Sequence, residues 1–156
     1  MNTKILSIIA ITLWLVTVLV AGTMFIKGTT GEASDGRTAI YVNQTERDMI
    51  LAEMRGFLNS FQMVLEGIQT DNLPWVKEVA QISGSAEIEG VSPTLMGKLP
   101  IQFKQWGRAV HKDFDDIAFA VDQGENREQL LKRVSLQLKS CIECHKSYRL
   151  DLEPTK

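Results

Sequence analysis

The sequence is poor in cysteine, histidine and proline. Among 156 residues there are two cysteines, two histidines and four prolines. Two cysteines are too few for a fold stapled by disulfides, and so few prolines leave room for long uninterrupted helices. A basic excess is also missing, because 17 Lys and Arg stand against 19 Asp and Glu, a net charge of −2. This balance excludes nucleic acid as the main partner, since phosphate binding requires a clear basic excess.

Charge is missing altogether from the first segment of the chain. Residues 5–26 form a run of 22 residues without a charged side chain, flanked by Lys4 and Lys27. A helix of that length spans roughly 33 Å, enough to cross a hydrocarbon core of about 30 Å. The run is long for a signal peptide, and its best cleavage site, Val20-Ala21-Gly22, is weak. We therefore expect a transmembrane anchor over 1–27, with a cleaved signal peptide as the alternative.

Both interpretations of the apolar segment imply export. Lys4 and the terminal amine put positive charge before the apolar run, which keeps that end of the chain in the cytoplasm. Everything after Gly28 is then expected on the periplasmic, extracytoplasmic side. Residues 28–39 are mostly small and polar and contain three glycines, which predicts a flexible linker. The folded domain is expected over 40–156.

The remainder shows helical periodicity and no strand alternation. Apolar residues recur every three or four positions in four segments, at about 41–69, after Pro74, from Pro100 to Gln123, and from Asn126 onward. Residues 83–98 contain three glycines and a proline, which predicts a loop. Four helices with short connections predict an all-α, antiparallel four-helix bundle.

Both cysteines fall in the string Cys141-Ile142-Glu143-Cys144-His145. A C-x-x-C-H string is typical of c-type haem attachment. Two thiols about one turn apart can add across the two vinyl groups of haem, and the adjacent histidine can then reach the iron as the proximal ligand. The sequence therefore predicts one covalent haem c, held by Cys141 and Cys144, with His145 on the iron.

Three other uses of the cysteine pair were weighed against haem. A thioredoxin-like site needs a strand, turn and helix around the cysteines, which the pattern does not offer. A tetrahedral zinc site needs two further ligands, and His111 is the single Cys or His outside the motif. A disulfide within the motif would close a very small loop and stabilise little. Paired carboxylates, a nucleophile–base pair and a phosphate loop are also missing from the sequence, so we do not expect an enzyme.

The last helix resembles that of the class II cytochromes c, which include cytochrome c′. The string Lys139-Ser140-Cys141-Ile142-Glu143-Cys144-His145-Lys146-Ser147-Tyr148-Arg149 is similar to the family pattern K-S-C-x-x-C-H-x-x-Y-R. In the first long helix, Arg47, Leu51 and Met54 reproduce a family spacing of arginine, distal haem residue and methionine. The resemblance covers about residues 40–152.

The resemblance implies a role for each matching residue. Cys141 and Cys144 would form the thioethers and His145 would be the proximal ligand. Arg47 would approach the haem propionates and Arg149 the proximal face, with a solvated surface charge as the alternative for each arginine. On the distal side, Leu51 is expected over the iron, with Met54 as the alternative sixth ligand. His111, which we expect at the surface, and water are the remaining alternatives.

The expected function is electron transfer by a membrane-anchored cytochrome, bound to the membrane through residues 5–26. The expected partners are redox proteins or a larger respiratory complex, and a homodimer is compatible with the pattern. A leucine over the iron favours a second hypothesis, a haem protein that binds nitric oxide or carbon monoxide at a five-coordinate iron. A structural subunit with an incidental haem is the third hypothesis.

Overall fold

The protein is mostly helical, as the periodicity predicts. The structure, a computed structural model, describes residues 3–88 and 91–154, with the backbone alone at 87 and 88. The α-helices of this part of the chain are α1 (Thr3–Lys27), α2 (Gln44–Gln69), α3 (Leu73–Ile82), α4 (Pro93–Lys98), α5 (Ile101–Asp122) and α6 (Arg127–Ser147). The strands are β1 (Thr30–Glu32), β2 (Thr38–Val42) and β3 (Tyr148–Leu152).

Helix α1 is apolar on every face and contributes no buried residue to the fold. It is long and apolar enough to cross a membrane or to serve as a signal sequence, which confirms the prediction at that level. The hydroxyls of Ser7, Thr12 and Thr17 each donate to the carbonyl four residues earlier. These polar groups are therefore satisfied inside the helix and do not oppose insertion into lipid.

Four helices surround one apolar core. Helix α3 contacts α2 and α5, and α6 contacts α5 and α2. Rings from two helices meet at the centre, with Phe114 within 5.8 Å of Phe57 and 4.9 Å of Phe61, measured between ring centroids. A capping box starts the last helix, because Asn126 and Gln129 each accept a hydrogen bond from the backbone N–H of the other.

A three-stranded sheet corrects the all-α prediction. Strand β2 is central, antiparallel to β1 and parallel to β3, with Thr38 opposite Tyr148 and Val42 opposite Leu152. Ala39, Ile40 and Val42 are fully buried, so neighbouring residues of β2 lack the alternation that marks a half-buried strand. The same strand delays the first long helix, which begins at Gln44 rather than near residue 41.

Residues 28–39 are not a flexible linker. They contain β1 and the start of β2, which form a hairpin. Gly28 has a φ of 65°, and a Cβ there would overlap the carbonyl oxygen of Lys98. The amide of Thr29 donates to that same oxygen at 2.8 Å. Gly28 is therefore needed for a close approach between two backbone segments. Composition alone does not distinguish a glycine used in this way from one in a flexible linker.

The segment predicted as a loop, 83–98, contains short helices. Ser85–Ile88 form a 3-10 turn, and Pro93 occupies the first turn of α4. Proline is tolerated there because its missing N–H would have no partner within the helix. Ser92 caps this helix because its side chain accepts a hydrogen bond from the backbone amide of Leu95. The side chain of Leu95 is buried in one apolar cluster with Leu99 and with Ile40 and Val42 of strand β2.

Candidate functional site

A cavity of about 370 Å³ opens between α2, α5, α6 and the sheet. Its volume falls within the range of about 300–1,000 Å³ that is usual for ligand sites. Most of its lining is apolar. The lining residues are Arg37, Arg47, Leu51, Met54, Phe57, Phe103, Trp106, Gly107, Val110, Ser140, Cys141, Cys144, His145, Tyr148, Arg149 and Leu150.

All seven residues selected from the sequence line this one cavity. Three lie on α2, three lie near the end of α6, and the last is on β3. They are Arg47, Leu51 and Met54, then Cys141, Cys144 and His145, and then Arg149. Helices α2 and α6 are in contact, which brings residues almost a hundred positions apart to opposite walls of the cavity.

The two cysteines are free thiols, each partly buried in the last turns of α6. Burial raises the pKa of Cys141, and burial together with the neighbouring Cys141 raises the pKa of Cys144 to about 11. Both groups are therefore neutral near pH 7. A thiol–disulfide catalyst depends on a lowered thiol pKa, so the environment of this pair argues against that alternative.

The zinc alternative lacks ligands within the described residues, which contain no group of three or more His, Cys, Asp or Glu side chains placed to hold a metal ion. A four-coordinate structural site would need such a group, because zinc takes its ligands from these side chains. His111, the candidate for a third ligand, is turned to other partners. The pair is also unlinked, with both cysteines free, so the disulfide alternative gains no support.

His111 is buried, which corrects its expected surface position. Its Nδ1 lies 3.0 Å from the carbonyl oxygen of Ser83 and 3.2 Å from that of Gly84, and its Nε2 lies 3.2 Å from a carboxylate oxygen of Glu53. Because carbonyls only accept, Nδ1 must donate, and Nε2 can then donate to Glu53 only as part of an imidazolium. With both ring nitrogens engaged, His111 is not available to an iron.

Three guanidinium groups line the cavity beside strand β3. Arg37 pairs with Asp35 at 2.7 Å, and Arg149 pairs with Asp35 at 3.2 Å and with Asp151 at 2.8 Å. Arg47 donates through Nε to the carbonyl of Leu150 at 3.4 Å. The hydrogen bonds from Arg37 are the main reason that the pKa of Asp35 falls to about 2. Both Arg47 and Arg149 line the cavity, and 35% of the Arg149 side chain is exposed to solvent.

The wall contributed by α2 contains both distal candidates. Leu51 and Met54 are three residues apart, so they lie on one helix face. Both are partly buried and line the cavity, with the buried ring of Phe57 beside them. The cavity therefore offers an aliphatic side chain and a thioether on the same wall.

Sequence reasoning missed two parts of the site. Arg37 lies in the stretch predicted as linker, and no local pattern distinguishes it from a solvated charge. The rings of Phe103, Trp106 and Tyr148 also gather at the cavity, with the Tyr148 centroid 5.7 Å from that of Phe103 and 5.8 Å from that of Trp106. The Tyr148-Arg149 pair at the end of the haem motif is the one feature that could have directed attention there.

No family model, curated protein or solved structure matches this chain.

Proposed function

We propose that the protein is a membrane-anchored, mono-haem c-type cytochrome of the class II kind that acts in electron transfer. The observation that carries this proposal is the single cavity that both thiols and the histidine of the C-x-x-C-H string line. The spacing of these residues suits haem c, and the apolar, aromatic lining suits a flat apolar cofactor.

The residues present fit haem c. The S–H groups of Cys141 and Cys144 would each add across a vinyl group, the sulfur bonding to one carbon and the hydrogen going to the other. The imidazole of His145 would hold the iron, the cationic group of Arg47 would face the carboxylates of the cofactor, and Arg149 would lie near the proximal face. When bound, haem supplies one-electron redox chemistry and an iron that can bind diatomic gases.

The packing of the helices supports the four-helix bundle of the proposal. Contacts run from α2 to α3, α3 to α5, α5 to α6 and α6 back to α2, which is the closed circuit expected of such a bundle. The sheet is then an addition to the bundle, made from the segment before α2 and the segment after α6.

The proposed anchor favours electron transfer, because a tethered protein stays near its membrane partner instead of diffusing away. A tether on the extracytoplasmic, periplasmic face raises the local concentration of a donor near a membrane-embedded partner. The partner would be a redox protein or a larger respiratory complex, and a homodimer is compatible with the proposal.

Covalent attachment tests the proposal directly. The wild-type chain, produced with export and haem attachment, should keep its haem after denaturation and extraction with acidic acetone. The double variant Cys141→Ala/Cys144→Ala should lose it, whereas Ser135→Ala, an exposed change on the same helix, should not. Haem that extracts completely from the wild type would refute the assignment.

Leu51 favours a second candidate function, the binding of nitric oxide or carbon monoxide. Leucine has no lone pair, so an iron beneath it would lack a sixth protein ligand and be largely high-spin. Near-infrared absorption and carbon monoxide binding to the ferrous protein, compared between the wild type, Leu51→Ala and Met54→Leu, distinguish the two functions. A low-spin spectrum that becomes high-spin in Met54→Leu would select electron transfer with Met54 on the iron.

A further inference from the structure

The end of α6 is capped from outside the helix. The last carbonyls of a helix have no partner within it, and a cation placed there is favoured by the helix dipole. Nη1 of Arg37 lies 3.2 Å from the carbonyl oxygen of His145 and 3.4 Å from that of Tyr148. The donor comes from the hairpin, more than a hundred residues before its acceptors in the chain.

Two constraints hold Arg37 in this position. Its Nε and Nη2 both donate to one oxygen of Asp35, at 3.0 Å and 2.7 Å. The next residue, Thr38, begins the parallel pairing of β2 with β3, opposite Tyr148. The guanidinium is therefore fixed by a carboxylate on one side and by strand pairing at the adjacent residue.

The other two arginines of the cavity make different contacts. Arg47 donates to the carbonyl of Leu150, within strand β3, and Arg149 is paired with carboxylates. Among the hydrogen bonds of the described residues, Arg37 is the side chain that reaches the backbone of His145.

We propose that Arg37 is a positioning residue for the proximal ligand, holding the main chain of His145 so that its imidazole keeps one orientation in the cavity. The inference rests on the proposed function and extends the haem site to the hairpin between the anchor and α2. Groups that orient a metal ligand without touching the metal also tune the affinity and the reduction potential of the metal.

Two effects of Arg37 can be separated by substitution. Its positive charge near the iron would favour the reduced state, and any cation at this position would supply that effect. Its planar fork, which reaches two carbonyls and Asp35 together, is specific to arginine. Lysine can therefore replace the charge but not the set of hydrogen bonds.

The experiment compares Arg37→Ala, Arg37→Lys and the control Arg55→Ala, an exposed arginine on α2, in the full-length protein with haem. Arg37→Ala should lower the reduction potential of the haem, because a positive charge is removed. Arg37→Lys keeps that charge, so its potential should lie closer to the wild-type value. The iron–histidine stretching band of the ferrous protein, measured by resonance Raman, should shift or broaden in both Arg37 variants. Arg55→Ala should leave the band and the potential unchanged.

Hydrogen exchange supplies a readout that does not depend on the iron. In Arg37→Ala the backbone amides of the last turn of α6 should exchange about fivefold faster, because an interaction of this kind contributes about that factor in local stability. Unchanged exchange together with an unchanged Raman band in Arg37→Ala would overturn the inference while covalent haem remained. Loss of covalent haem from the wild type would instead overturn the proposed function.

Discussion

At the scale of single residues, the groups around His111 shift its protonation equilibrium. It lies on α5 and meets Glu53 from α2 and two carbonyls after α3. Burial opposes protonation, but the Glu53 carboxylate and these carbonyls outweigh it, so the pKa of His111 is raised above 6.5. The ring of Phe57, which lines the cavity, contacts it edge-on at 4.9 Å. A histidine with a raised pKa therefore lies directly behind a wall of the site.

This arrangement predicts a pH-dependent stability. A group with a raised pKa in the folded state stabilises fully below its unfolded pKa, near 6.5, and the stabilisation is lost as the pH rises through the folded value. Relative to His111→Asn, the wild type should lose of order 1 kcal/mol of unfolding free energy across that window, since Glu53 is partly exposed and screened.

Urea unfolding at a series of pH values measures this difference. His111→Asn keeps a donor for the carbonyls of Ser83 and Gly84 but cannot titrate, so it serves as the matched variant. A constant difference between wild type and variant from acidic to alkaline pH would show that folding leaves the pKa of His111 unchanged, and a wild type that gains stability over the variant as the pH rises would show that folding lowers it.

At the scale of elements, side-chain and backbone contacts join the end of α1 to the folded domain. Lys104 on α5 donates to the carbonyl of Phe25 at 3.1 Å and lies 3.5 Å above its ring. Gly28 follows with a positive φ and a backbone contact with Lys98. The end of α1 is thus attached to the folded domain by packing as well as by the chain.

Substitution of Gly28 tests this junction. Alanine at position 28 would have a strained left-handed backbone, and its Cβ would overlap the carbonyl oxygen of Lys98. We therefore expect Gly28→Ala to lose about 2 kcal/mol or more of unfolding free energy. Gly36 is the matched control, because its φ of 80° is also positive but a Cβ would meet nothing within 4 Å. Gly36→Ala should lose only about 1 kcal/mol.

Urea unfolding in detergent measures both variants, and tryptic cleavage after Lys27 reports the junction itself. Cleavage should be faster in Gly28→Ala than in wild type. Equal losses of stability in the two variants would show that the close approach to Lys98 does not hold the junction.

At the scale of the whole molecule, α1 is an addition to a domain that has its own core. It contributes no buried residue, and its contacts are with α4 and the start of α5 near its last turn. The core of α2, α3, α5 and α6 is complete without it. Removal of α1 should therefore leave the folding of the domain largely unchanged.

We predict that the chain starting at Gly28, exported by a cleavable signal, is soluble and keeps its covalent haem. Its unfolding free energy should lie within about 1 kcal/mol of the full-length value, because few contacts are removed. Intact mass and circular dichroism check the product, and intact mass of the membrane-purified wild type should show a chain that retains residues 1–27. A truncated protein that aggregates or lacks haem would contradict the independence of the domain.

The sequence by itself determined the features that depend on local pattern. The apolar run defines α1, and periodicities of three and four define α2, α3, α5 and α6 to within a few residues. The capping residues of α6 and the spacing within the C-x-x-C-H string are likewise local. Arg47, Leu51 and Met54 share one face of α2, and the two cysteines and the histidine of the C-x-x-C-H string share one face of α6, because helix spacing specifies which side chains lie together.

Only the tertiary structure decided the features that depend on distant partners. Strands β2 and β3 pair across more than a hundred residues, and each is five residues long, too short and too evenly buried to show a period. Arg37 joins the site because that pairing carries it to the end of α6. His111 is buried with a raised pKa because α2 and the end of α3 bring acceptors to both of its nitrogens. No local pattern encodes these contacts, since each one exists only after separate elements have packed together.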